Sequence, residues 1–135
     1  MSHLLDTNSW VNHMRRGPNS KVTTRLASAP PGSIYLCSVV LGELIYGAFH
    51  SGPKHQAGNL ALIADLRKQF VSLPFDDRAS EEYGKVREYL ASLGTPIGPN
   101  DLMIAAIGLA NGLTVVTHNT TEFKRVPGLL VEDWQ

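Results

Sequence analysis

The chain has 135 residues, 43% of them hydrophobic and 18% charged, a balance that excludes a disordered polymer and allows a buried core. Twelve basic and twelve acidic residues cancel, so net charge gives no argument for a polyanionic partner, and any basic surface must be local. No apolar run reaches the ~20 residues that cross a bilayer, and the amino terminus lacks the pattern of a secretory leader. The single cysteine, Cys37, has no partner for an internal disulfide. A cytoplasmic protein with Cys37 as a small core residue is the expectation.

In chain order, His3-Leu4-Leu5 is too short for a buried helix and reads as a central parallel strand with Asp6 at its carboxyl end, where open α/β sheets form a ligand crevice. Ser9 to Arg16 reads as a helix stopped by Gly17-Pro18, and Ser20 as the cap of a second helix through Leu26. Ile34 to Cys37 is a second strand. Ser38 is then expected to cap a helix over Val39 to His50. A longer helix follows from Lys54 to Gln69, with Leu60, Ile63, Leu66 and Phe70 on one face, and Val71 to Leu73 is a third strand. Asp76 or Asp77 opens a charged helix whose inner stripe is expected to be Val86, Tyr89, Leu90 and Leu93, with Gly94 just past its end. Asn100 is expected to cap a helix from Asp101 to Ala110. Leu113 to Thr117 gives a fourth strand, Asn119 to Phe123 a turn, and Leu129 to Val131 a last strand. Strand and helix alternate without repeat or linker, which predicts an α/β domain over residues 1–135, with a short mostly parallel sheet between helical layers.

Most of the acids sit among lysines and arginines and read as solvated charge. Three do not. Asp6 follows two leucines, Glu43 is the one charge in Val39 to Phe49, and Asp101 is the one charge in Asp101 to Ala110. Both helical segments are apolar on nearly all faces, so both are expected to be largely buried. A carboxylate there must be paired, protonated or bound to a cation, and neither segment offers a local Lys or Arg. Singly, each has a plainer reading: Asp6 as a helix cap, Glu43 as partner of a backbone group or distant arginine, Asp101 as a first-turn acid favoured by the helix dipole. Together in one crevice they repel unless something positive joins them. Hard oxygen ligands without His or Cys at metal spacing select Mg²⁺ or Mn²⁺. Such an ion activates water and stabilises charge on phosphate, which points to phosphodiester hydrolysis or phosphoryl transfer. Thr7, Ser38, Thr117 and Asn119 are candidates to orient the ligands or the substrate.

Several stretches resemble PIN-domain ribonucleases, specifically the VapC-type toxins of bacterial toxin–antitoxin pairs. They are Leu5-Asp6-Thr7-Asn8, Ser38 through Glu43 to Ala48, Pro96 through Asp101 to Ala106, Thr117 to Leu129, and Val131-Glu132-Asp133-Trp134. The resemblance implies a PIN-like three-layer α/β/α fold with one or two Mg²⁺ or Mn²⁺ ions held by Asp6, Glu43 and Asp101. It implies endonucleolytic hydrolysis of RNA that stops translation, with initiator tRNA at the anticodon loop as the target suggested by the carboxyl-terminal match. It also implies a homodimer and a cognate VapB antitoxin, through which alone the toxin would meet operator DNA.

One departure is that many PIN domains have a fourth acid where this chain has Asn119, so one tightly held ion is expected, with a second arriving with RNA; Glu122 is a candidate substitute for the missing acid, but reads first as a solvated turn residue. Arg15, Arg16, His118, Lys124 and Arg125 are candidates for RNA phosphates. Trp10, Tyr46, Phe49 and Trp134 are expected in the core or an interface. The rivals are a PIN-like nuclease acting on DNA, a non-catalytic nucleic-acid-binding module, and aspartyl-phosphate chemistry at Asp6; the last is disfavoured because Asn8 stands where a second acid is needed.

Overall fold

The computed structural model describes residues 1–135. Five strands form one sheet: β1 (His3–Leu5), β2 (Ile34–Cys37), β3 (Val71–Leu73), β4 (Thr114–Val116) and β5 (Val131–Glu132). Their spatial order is β3-β2-β1-β4-β5, and every neighbouring pair is parallel. The centre of the sheet shows in the letters. Leu4, Leu5, Val115 and Val116 are buried whichever face they point to, whereas Val71 on the β3 edge is 63% exposed.

Seven helices join the strands: α1 (Thr7–Arg16), α2 (Lys21–Ser28), α3 (Ser38–His50), α4 (Pro53–Gln69), α5 (Asp77–Ser92), α6 (Pro99–Ala110) and α7 (Thr120–Phe123). The first two crossovers step one way from β1 and the third steps back across it. Right-handed connections then place α1–α4 on one face and α5–α6 on the other, giving the expected three layers. The Arg78 guanidinium donates to the Ala110 carbonyl, so the start of α5 lies beside the end of α6. Only three residues separate α6 from β4, so α6 ends near the sheet's amino edge and its first turn stands at the carboxyl edge.

Several local expectations change. Ser38 does not cap α3 but is its first residue, exposed, with its hydroxyl 3.5 Å from the Leu73 carbonyl. Asn100 does not cap α6 either, because Pro99 already occupies the first helical position and Gly98 the cap. The buried stripe of α5 is Ala79, Val86 and Leu90, with Tyr83 half-buried; Tyr89 and Leu93 are rotated off it and exposed. Helix α6 is buried nearly all round, as expected, but α3 is not. It buries Val40, Leu41, Leu44 and Ala48 and leaves Tyr46 68% and Phe49 56% exposed, while Trp10 and Trp134 enter the core. The fourth and fifth strands are shorter or shifted, at Thr114–Val116 and Val131–Glu132.

Candidate active site

The carboxyl ends of β1 and β4 adjoin at the point where the strand order reverses, the place where open α/β sheets form a crevice. Asp6 follows β1 directly and caps α1: its Oδ1 accepts from the Ser9 backbone N–H at 2.9 Å. Its Oδ2 accepts from the Thr117 hydroxyl at 2.6 Å, so the carboxylate is clamped by chain segments 111 residues apart. The plainer reading of Asp6 as a cap is therefore correct, yet capping engages one of its two oxygens. Asp6 is 4% exposed and Thr117 fully buried. Burial pushes the Asp6 carboxyl above its ordinary value; the Thr117 and Ser9 bonds oppose this, and the Glu43 charge adds to it.

Glu43 lies in the second turn of α3, and its Oε1 accepts from the Thr7 hydroxyl at 2.5 Å. Asp101 occupies the first turn of α6. Its carboxyl is pushed up to about 6, first by burial and then by the charges of Glu122, Asp6 and Glu43. That order brings forward Glu122, for which the sequence left two readings. Glu122 is no solvated turn residue: its carboxylate accepts from the Gly98 backbone N–H at 2.5 Å and from the Asn119 side-chain amide at 2.5 Å. The Gly98 backbone lies close beneath it, since a Cβ at Gly98 would meet Glu122 Oε1 at 3.4 Å and Asp101 Oδ2 at 3.9 Å. The signal was the Asn119-to-Glu122 spacing, one helical turn, which brings the acid back over the amide.

Asn119 ties the pieces together, because its backbone N–H also donates to the Thr117 hydroxyl at 2.9 Å. Ser38 touches none of the acids but shares with Thr7, Glu43 and Asn100 the wall of an open groove of about 600 Å³. The chain's three ion pairs all involve Glu132 or Asp133, and none reaches Asp6, Glu43, Asp101 or Glu122. Asp6, Glu43 and Glu122 lie close enough to Asp101 for their charges to raise it, none of the four has a protein counter-charge, and no three of them close on a common point as the ligands of an ion do. All the donors are oxygen, negative and partly desolvated, which fits a hard divalent cation and not zinc or copper.

The chain matches the PIN-domain family over residues 3–129. It is 40% identical over 134 residues to the tRNA(fMet)-specific endonuclease VapC of Shigella flexneri, covering 99% of this chain and 98% of that one. It is 36% identical, over the same length and coverage, to the tRNA(fMet)-specific endonuclease VapC of Salmonella typhimurium. The crystal structure of DNA-bound VapBC from Salmonella typhimurium superposes with a TM-score of 0.90 at 35% identity, covering 100% of this chain and 99% of that one. A parallel five-stranded sheet ending in an acidic crevice and end-to-end likeness to these relatives lead to one conclusion: the chain belongs to the PIN-domain family, within its VapC ribonucleases.

Proposed function

We propose that this protein is the toxin of a toxin–antitoxin pair, a metal-dependent endoribonuclease built as one PIN domain over residues 1–135, that cuts RNA through Asp6, Glu43 and Asp101. The carrying observation is that three segments remote in sequence deliver these acids to one crevice and no Lys, Arg or His pairs with them. The ion that suits them is Mg²⁺, with Mn²⁺ as a substitute, and when bound it activates water and stabilises charge on the phosphate. Asp6, Glu43 and Asp101 hold it, and Glu122 supplies the fourth negative charge in place of an acid at position 119.

The chain's other residues do the positioning. Thr117 and the Ser9 N–H fix the Asp6 carboxylate, and Thr7 fixes that of Glu43, so neither has to be ordered when substrate arrives. Asn119 and the Gly98 N–H hold Glu122 beside Asp101. The substrate is initiator tRNA, a reading supported by the tRNA(fMet) specificity in the names of the Shigella and Salmonella relatives. The cognate antitoxin is of the VapB type, as the VapBC assembly of the Salmonella neighbour suggests, and the toxin acts as a homodimer in the cytoplasm, inhibiting translation.

The test is Asp101→Asn. It keeps the fold and lowers cleavage of initiator tRNA by about a thousandfold, the loss of ~4 kcal/mol of transition-state stabilisation, and it relieves growth arrest on expression. Cleavage by this variant at the wild-type rate overturns the assignment. Parallel assays on single-stranded DNA decide the sugar.

A further inference from the structure

A second groove, of about 550 Å³, opens beside the acids on the outer side of α1. Arg15, Arg16, Asn8 and Asn12 line it from α1, and His118 and Asn119 from the segment after β4; a single apolar side chain takes part. Its charge is free. Arg25 pairs with Glu132, Arg78 and Arg125 donate to backbone carbonyls and Arg87 to the Tyr83 hydroxyl, but Arg15 and Arg16 have neither a carboxylate nor a hydrogen-bond partner. On the groove's far wall His118 engages Asp133 at 3.0 Å and the Asn119 amide engages Glu122 at 2.5 Å.

The groove also leads to the chemistry. Asn8 follows Thr7, which holds Glu43, and Asn119 holds Glu122. Arg15 is shared with the adjoining cleft that contains Thr7 and Glu43. The dipole of α1 accounts for cations in its last turn, worth about 0.3–1 kcal/mol each. It does not account for a wall of amides beside them. Free guanidinium groups suit phosphate, and side-chain amides, each donor and acceptor, suit sugar hydroxyls and base edges.

We propose that this groove seats the sugar–phosphate backbone of single-stranded RNA on one side of the cleaved bond, with Arg15 and Arg16 each neutralising one phosphate. It rests on the ribonuclease reading for its direction, but its test does not require cleavage. The probe is fluorescein-labelled oligouridylate, titrated by anisotropy in EDTA at several salt concentrations. Each phosphate contact to a single strand contributes about 0.7 to the slope of log affinity against log salt, so R15A/R16A lowers that slope by about 1.4. Between about 50 and 200 mM salt the wild-type affinity then falls about sevenfold more than that of the variant. R15K/R16K, which keeps the charge, retains the wild-type slope, which separates lost contacts from a misfolded helix end.

With initiator tRNA and Mg²⁺, R15A/R16A raises KM more than it lowers kcat. Equal slopes for wild type and R15A/R16A overturn the proposal. So does a variant that binds RNA normally but no longer binds the purified antitoxin, since the groove then belongs to the partner protein. A wild-type protein that shows the slope difference yet cuts no RNA supports the groove and sinks the nuclease reading instead.

Discussion

Asp101 and Thr117 stand at opposite poles of what a residue does for this crevice. Asp101 is a destabilised acid, with its carboxyl raised from 3.8 to about 6 chiefly by burial. Between those values the folded protein binds a proton that the unfolded chain releases, so stability falls as pH rises from about 4 to about 6. In metal-free protein the Tm difference between Asp101→Asn and wild type should therefore grow in favour of the variant across that window. A difference independent of pH sinks the account. Thr117 has the converse role, since its hydroxyl supports a buried carboxylate. Thr117→Val leaves Asp6 short of a donor, which costs about 1–3 kcal/mol in stability and about 10–100-fold in divalent-ion affinity. Calorimetry with Mg²⁺ reads the second and thermal melting the first. At this scale Asp6, Glu43 and Asp101 were legible because each is a lone charge among apolar letters. Glu122 was legible only as the second of two readings, because it lies near Lys124 and Arg125 and its difference is made by Gly98, a neighbour 24 residues away.

The helices show why element-level reading succeeded in part. Helix α6 is apolar and buried over most of its length, and at Gly108 it packs closely on the sheet. A Cβ there would lie 3.0 Å from Val115 Cγ2 and 3.4 Å from Leu129 Cδ1. Gly108→Ala gains up to ~1 kcal/mol of helix propensity but overpacks a β-branched neighbour at a cost of about 1–3 kcal/mol. A net loss of about 1 kcal/mol is expected by denaturant melting, and a stabilised protein contradicts the packing argument. Helix α3 has an equally apolar sequence, yet Tyr46 and Phe49 face outward. Composition cannot separate burial in the core from burial in a partner, because the driving force is the same. The caps misassigned to Ser38 and Asn100 failed for another reason: a polar residue near a helix start is equally suited to the first turn, and only the backbone angles of Cys37 and Gly98 decide.

For the whole molecule, the proposed function makes the four uncompensated acids of the folded state a receptor for divalent charge. Mg²⁺ at about a hundred times its Kd should stabilise wild type by about 2.7 kcal/mol, and Asp6→Asn far less. Equal Tm gains for both proteins locate the ion elsewhere. Tyr46 and Phe49 are exposed on one helix, α3, and the homodimer of the proposed function would cover such a surface. Sedimentation should give about twice the chain mass of 14.7 kDa, and a single-chain mass at micromolar concentration removes the homodimer. The central place of β1 was legible from its short apolar run into Asp6, and the sheet bears it out; the order of the other strands was not, because alternation predicts parallel pairing but not the side of β1 on which each strand lies.

The clamp on Asp6 also has a consequence for synthesis. The acid is made 111 residues before the Thr117 hydroxyl that fixes it, and before the strand that pairs with its own. A nascent chain that stops short of Thr117 therefore carries an unfinished crevice, with Asp6 present but one of its two clamps missing. Both ends of the clamp meet only after Thr117 has left the exit tunnel.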